Sequence, residues 1–404
     1  MGYTKDAIKG ISWIGLLRLI VKSFGFVEIV ILARILAPEQ FGAYGIVLLE
    51  LGLLEVFTES GINVILIQEK EFEKYINSAW IVSIVRGFLI SLFIIISAPF
   101  VASFFHSPLS LQLLYLISIV PILRGFLNPA IIHFQKELRF RKDFFFQFPG
   151  VLVDTFVSIT FCYLLKSPMG IVFGLISGVV VQLILSFFVV NIRPRLQFNK
   201  SYISKIIHRG RWVTAGGIFN YLFHNADNII VGKFLGTASL GIYQIAYSLS
   251  ILPITEIADV FSRVTFPVYT KMAMDKGRLS KAFLKTTFAI TLLSLPFGLL
   301  LVFFPKQIIL FILGEKWILA SSLLPILGIF AVFRAISGSS SSLFLSVGKQ
   351  EYVTVVTFVS IVGLLIPIIP LTLRFGIFGA AMSALIGTLV AVPFFLYYTL
   401  KVLR

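Results

Sequence analysis

The sequence predicts an all-α polytopic membrane protein, with twelve transmembrane helices in two six-helix lobes related by a pseudo-two-fold axis along the membrane normal. Three observations predict it. Hydrophobic residues make up 58% of the 404 positions and charged residues only 13%, and the mean hydropathy is +0.99. That leaves too little polar surface to cover a soluble globule. Apolar runs of the length a bilayer demands, about 20 residues, recur along the whole chain. The second half also repeats the first at a fixed offset.

Twelve segments meet the length requirement, centred near Gly25, Leu54, Phe93, Pro121, Phe156, Gly178, Phe223, Leu252, Leu295, Phe330, Leu364 and Gly387. The first run, Ile11 to Leu36, is far longer than the ~7–15-residue core of a signal peptide, so the N-terminus is expected to be retained. It carries Arg18 and Lys22 at i, i+4 on one face, then Glu28. The second segment stacks Glu55 and Glu59 at i, i+4, where they could balance Arg18 and Lys22. Arg86 in the third segment lies close enough to a membrane boundary to snorkel. The fourth carries Arg124. Pro121, Pro253, Pro296, Pro325, Pro367 and Pro393 predict kinks.

After the sixth segment comes a polar joint, Asn191 to Arg211. There Ile203, Ile206 and Ile207 fall at i, i+3, i+4 among bases, the pattern of a helix lying in the membrane interface or of a solvated connector. The expected organisation is therefore an N-terminal lobe over 1–191, a basic connector over 192–211 and a C-terminal lobe over 212–404. On the seventh segment Asn220, His224 and Asp227 fall at i, i+4, i+7, a polar stripe along an apolar helix. The eighth holds Arg263 one turn after Asp259. The tenth holds Arg334 and the run Ser337 to Ser342, which could line a path but more often permits close helix packing.

The repeat appears when the sequence is laid on itself at an offset of 199. Nine identities fall in the 44 positions from Tyr3 to Ile46, with no gap, and they include Trp13 on Trp212, Gly42 on Gly241 and Tyr44 on Tyr243. Glu28 meets Asp227 and Arg34 meets Lys233, matches that apolar helices do not make by accident. Six helices per half is an even number, so the halves enter from the same side as parallel repeats.

The net charge of +16 resembles a nucleic-acid binder's until the bases are located. With the N-terminus inside, 22 of the 34 lie in cytoplasmic tails and loops and six on the opposite side. This asymmetry places both termini in the cytoplasm and leaves no nucleic-acid partner. Cys162 is the only cysteine, which excludes an intramolecular disulfide and Cys-rich metal centres. No Gly-Lys-Ser/Thr phosphate loop is present to drive transport with ATP. No catalytic residues, metal site or cofactor are expected.

The stretches LARILAPEQFGAYGI, KFLGTASLGIYQIAYSL and ILRGFLNPAI resemble the polysaccharide and lipid-linked-oligosaccharide flippases of the multidrug/oligosaccharidyl-lipid/polysaccharide exporter superfamily. The resemblance spans essentially the whole chain. It implies two lobes around a cavity in a bacterial inner membrane and a monomeric transport unit. The implied activity is export of an undecaprenyl-pyrophosphate-linked oligosaccharide by alternating access. The implied partners are that substrate, membrane lipids, a polysaccharide polymerase and a chain-length regulator. Under this reading Arg124 and Arg334, with Arg18 and Lys22, are the candidates for holding pyrophosphate, because guanidinium donors match phosphate oxygens. Glu28, Asp227, His224 and Asn220 are the candidates for coupling to H+ or Na+. A cation-coupled multidrug or small-molecule antiporter of the same superfamily is the alternative. A membrane polymerase or ligase ranks last, because every external loop is short.

Overall fold

The computed structural model describes residues 20–58, 62–69, 71–137 and 139–403. Arg18 and Glu59, and the side chains of Asn220, Asp259 and Arg263, lie outside the described residues. Regular structure among the described residues is helical. Helix α1 covers residues 20–35. It is followed by α2 (Pro38–Phe57), α3 (Ile62–Gln68), α4 (Phe72–Phe104), α5 (Pro108–Ile117), α6 (Ile119–Gly125), α7 (Ile132–Lys136), α8 (Phe140–Leu165) and α9 (Met169–Phe188). Then come α10 (Lys200–Met272), α11 (Lys276–Phe303), α12 (Pro305–Ile312), α13 (Leu324–Ser346), α14 (Gln350–Phe375) and α15 (Ile377–Leu403).

Among the described residues, ten helical spans are long and apolar enough to cross a membrane. The sequence predicts twelve, and the difference lies at two places. The first segment falls on α1, described only from residue 20. The seventh and eighth both fall within α10, on either side of Gly236, whose φ of 82° and ψ of 177° break the helix. A side chain there would be strained, so glycine is required. The residue 199 positions earlier is Ala37, extended at φ −88° and ψ 158°, where α1 ends and α2 begins. Both halves thus break at repeat-equivalent positions.

The chain forms two compact units, one ending at Asn225 and one beginning at Ala226. The division falls inside α10. The expected connector is in two parts: residues 192–199 are non-helical, and helix begins at Lys200 and runs on through the seventh segment. Part of its apolar face is covered by protein. Ile206 is buried at 1% exposure among Ile62, Leu66, Phe72 and Tyr75, and the Tyr202 ring lies 4.6 Å from that of Tyr75.

Small residues set the helix spacing inside each unit, as expected where lipid supplies no hydrophobic drive between helices. In the first unit Gly170, Gly174 and Gly178 of α9 run along Cys162, Ser158, Asp154 and Gly150 of α8; a Cβ on Gly174 would overlap Ser158 Oγ. Gly87 of α4 and Gly125 of α6 bring those helices together, since a Cβ on Gly125 would lie 2.7 Å from the Ser83 carbonyl oxygen. In the second unit Gly298 of α11 meets Val332 of α13, and Gly363 of α14 meets Gly387 of α15. Only 6% of the α14 span is fully buried, and its contact with α15 is made at Gly363.

Candidate functional site

In the first unit the polar groups of the spans gather at two places. The close approach of α4 and α6 carries Arg86 and Arg124 to Glu55 of α2. Arg124 Nη1 pairs with Glu55 Oε1, while Arg86 donates to the Glu55 carbonyl at 2.7 Å and to Thr58 Oγ1 at 3.1 Å. Among the described residues Glu55 pairs with Arg124; Arg18, offered with Lys22 as its balance, lies outside them. One sequence expectation is corrected here: Arg86 is held by α2, where snorkelling was expected. The glycines let two arginine-bearing helices approach closely, so that Arg124 meets the Glu55 carboxylate and Arg86 the carbonyl of the same residue.

The second gathering surrounds Glu28. Thr155 Oγ1 on α8 donates to Glu28 Oε2 at 3.0 Å, and one residue before it Asp154 accepts from Ser158 Oγ at 3.2 Å. The α9 glycine ladder makes this possible. A Cβ on Gly178 would stand 2.9 Å from Asp154 Cβ, so a bulkier α9 would displace the acid. Two carboxylates and two hydroxyls thus face one another between α1 and α8. Such a set can hold a proton or a small cation. Lys22 lies half-buried two turns before Glu28 on α1.

In the second unit Asp227 is buried at 5% exposure. It accepts hydrogen bonds from Tyr243 Oη at 2.8 Å and from the Asn228 backbone at 2.8 Å. One turn beyond Tyr243 stands Tyr247, with ring centroids 6.0 Å apart, and Arg334 Nη1 donates to Tyr247 Oη at 2.9 Å. The Arg334 guanidinium also lies 5.8 Å from the Phe330 ring centroid. A buried acid and a half-buried base are therefore linked through two phenols. His224 is exposed, one turn before the buried Asp227 on the same helix.

Sequence reasoning missed four contributors. Asp154 sits in the apolar run GVLVDTFVSIT, four residues from both Gly150 and Ser158, and that spacing was the available signal. Glu50, 8% exposed, accepts from Ser97 Oγ, and its Oε2 has no hydrogen-bond partner; an acid inside LLELGLL was visible. Tyr243 and Tyr247 carried no signal beyond the match of Tyr243 to Tyr44. Among the described residues no group of three or more His, Cys, Asp or Glu side chains could hold a metal ion.

A family model described as "Polysaccharide biosynthesis protein" matches residues 31–322. A lipopolysaccharide biosynthesis protein, WzxC of Escherichia coli K12, is 24% identical over 87% of this chain and 72% of its own length. The teichuronic acid biosynthesis protein TuaB of Bacillus subtilis is 23% identical over 86% of this chain and 73% of its own. Among solved structures, a lipid II flippase MurJ in an inward closed conformation superposes with a TM-score of 0.78 at 15% identity, covering 96% of this chain and 88% of that one. An inward-facing multidrug resistance MATE family transporter of the MOP superfamily gives 0.69 at 16% identity, covering 96% of this chain and 98% of that one. These superpositions show a shared two-lobe transporter fold.

Proposed function

Because this chain belongs to the polysaccharide biosynthesis protein family, as a flippase-type member of the multidrug/oligosaccharidyl-lipid/polysaccharide exporter superfamily, we propose that it moves an undecaprenyl-pyrophosphate-linked oligosaccharide across the bacterial cytoplasmic membrane. The oligosaccharide is delivered to the outer leaflet for assembly into a surface polysaccharide. Both termini lie in the cytoplasm, transport runs by alternating access, and a polymerase and a chain-length regulator receive the product. The protein acts as a transporter and makes or breaks no covalent bond.

The observation that carries this reading is Arg334. A guanidinium within a membrane span costs about 2.5–3.5 kcal/mol on insertion scales, and among the described residues its hydrogen bond goes to a neutral phenol, Tyr247. Its charge thus remains available to an anion, and its planar donors fit phosphate oxygens in bidentate fashion. Arg124 is the counterpart in the first unit, with Glu55 as the partner a phosphate would displace. Arg18 and Lys22 would meet the anion nearer the cytoplasmic end. Alanine at Arg334 should abolish surface-polysaccharide export at normal protein level, and lysine should restore only part of it. Wild-type export by the alanine variant would overturn the assignment.

A second reading concerns the driving force, and the Glu28 and Asp154 pair favours it. Two carboxylates with the hydroxyls of Thr155 and Ser158 beside them would bind H+ or Na+, whose gradient returns the protein to its loading state. The same arrangement would serve a cation-coupled antiporter of small molecules.

A further inference from the structure

At the basic end of the first unit, the start of α8 and the end of α9 form an open, shallow cavity of about 370 Å³ lined by Arg141, Lys142, Phe145 and Val189. We propose that this cavity is a binding site for an anionic glycerophospholipid of the cytoplasmic leaflet. Its phosphate would lie at Arg141 and Lys142 and its acyl chains over Phe145 and Val189. The site is independent of what the protein translocates.

The stretch FRKDFFF opens α8, and its charges are sorted by direction. Arg141 and Lys142 line the cavity, whereas Asp143 is buried at 6% exposure and accepts from Gln135 Nε2 at 3.4 Å. The acid of this turn is thus taken into the protein and the bases are left at the rim. Aromatic faces steady both cations: Arg141 Cζ stands 5.8 Å from the Phe145 centroid and Lys142 Nζ 5.8 Å from the Phe134 centroid. Guanidinium and ammonium on aromatic faces keep their charge while part of their hydration is removed.

The floor of the cavity is apolar and faces outward. Phe145 is 54% exposed and Phe188, beside Val189, is 76% exposed. Both α8 and α9 are long and apolar enough to cross a membrane, which would put these side chains where hydrocarbon begins. The segment after α9 fixes the same level. Asn77 accepts from the Arg195 backbone N–H at 2.8 Å and donates to Gln197 at 2.8 Å. That strap holds Leu196 and Phe198 outward, each 73% exposed, next to Arg195. Alternation of bases with exposed apolar groups marks a headgroup boundary. A soluble anion has no use for the apolar floor. A zwitterionic lipid has no net charge to offer the two bases. An anionic diacyl lipid satisfies both halves of the cavity.

The test uses the full-length protein purified in detergent, with phosphatidylglycerol and phosphatidylcholine as probes and native mass spectrometry to count retained lipid. Wild type should retain phosphatidylglycerol in preference. Arg141→Gln with Lys142→Gln should weaken that retention about thirtyfold, the expectation for two bases near an anionic lipid. Lys281→Gln with Lys285→Gln, equal in charge but on α11, should keep it. Val189→Trp fills the cavity while sparing both bases, and should also remove the preference. Unchanged retention in the Arg141 and Lys142 variant, or an equal loss in the α11 control, would overturn the proposal. So would displacement of phosphatidylglycerol by equimolar farnesyl pyrophosphate, which would make the cavity a waiting place for substrate.

Discussion

The hydroxyl of Tyr243 donates a 2.8 Å hydrogen bond to Oδ2 of Asp227, joining the two arms of α10 across the break at Gly236. The bond closes the corner of the helix and supplies a buried acid with a donor. Tyr243→Phe leaves that acid short of one partner at almost unchanged shape. The expected loss of stability is about 1–3 kcal/mol, read as a lower unfolding midpoint in detergent. Tyr247→Phe, whose hydroxyl meets Arg334 instead, should cost less stability and more transport.

Gly236 itself holds a conformation open essentially to glycine. A Cβ would meet open space there, so the cost of Gly236→Ala is backbone strain alone, about 1–3 kcal/mol. The same substitution at Gly338, helical and also facing open space, should be neutral or slightly stabilising. Paired thermal melts would check the contrast.

The α8 and α9 ladder makes a sharper prediction. A methyl on Gly174 would overlap Ser158 Oγ and sit 2.8 Å from Asp154 Oδ1. Gly174→Ala should therefore destabilise by about 1–3 kcal/mol and disturb coupling, because Asp154 is the group displaced. Transport with normal ion dependence in a folded Gly174→Ala protein would count against a coupling role for Asp154.

Coupling itself is tested at the Glu28 pair. Glu28→Gln and Asp154→Asn preserve shape and hydrogen bonding while removing one charge each. The expectation, in proteoliposomes with an imposed H+ or Na+ gradient, is folded protein whose transport no longer follows the gradient. Asp227→Asn should instead act mainly on stability, since Asp227 is closed in by Tyr243 and Asn228.

The Arg124 and Glu55 pair is part-exposed, with side-chain exposures of 40% and 31%, so its contribution to stability should stay below about 1 kcal/mol. Glu55→Gln should then leave the unfolding midpoint nearly unchanged, while Arg124→Gln abolishes export. An equal, large fall in stability for both variants would mark the pair as a structural clamp.

The membrane class, the order of the spans and the repeat were legible because each is written locally. Hydropathy sums along the chain, and the offset of 199 brought Glu28 onto Asp227 and Ala37 onto Gly236 without any knowledge of packing. The positions of the embedded charges could be read from the sequence as well. Their partners could not. Glu55 could as readily have met Lys22 as Arg124, and Asp154 did not stand out from other acids.

What the sequence by itself determined, then, is a helical transporter built from two related halves with charges it must satisfy inside a membrane. Only the tertiary structure decided how they are satisfied. Glycines at 87 and 125 let Arg124 reach the Glu55 carboxylate and Arg86 the Glu55 carbonyl, and the glycines of α9 leave the room that Asp154 occupies on α8. A break at Gly236 folds Tyr243 back onto Asp227. The physical reason is that a helix exposes its polar groups by its own period, whereas the partner each group meets depends on interhelical distances set by small residues on another helix.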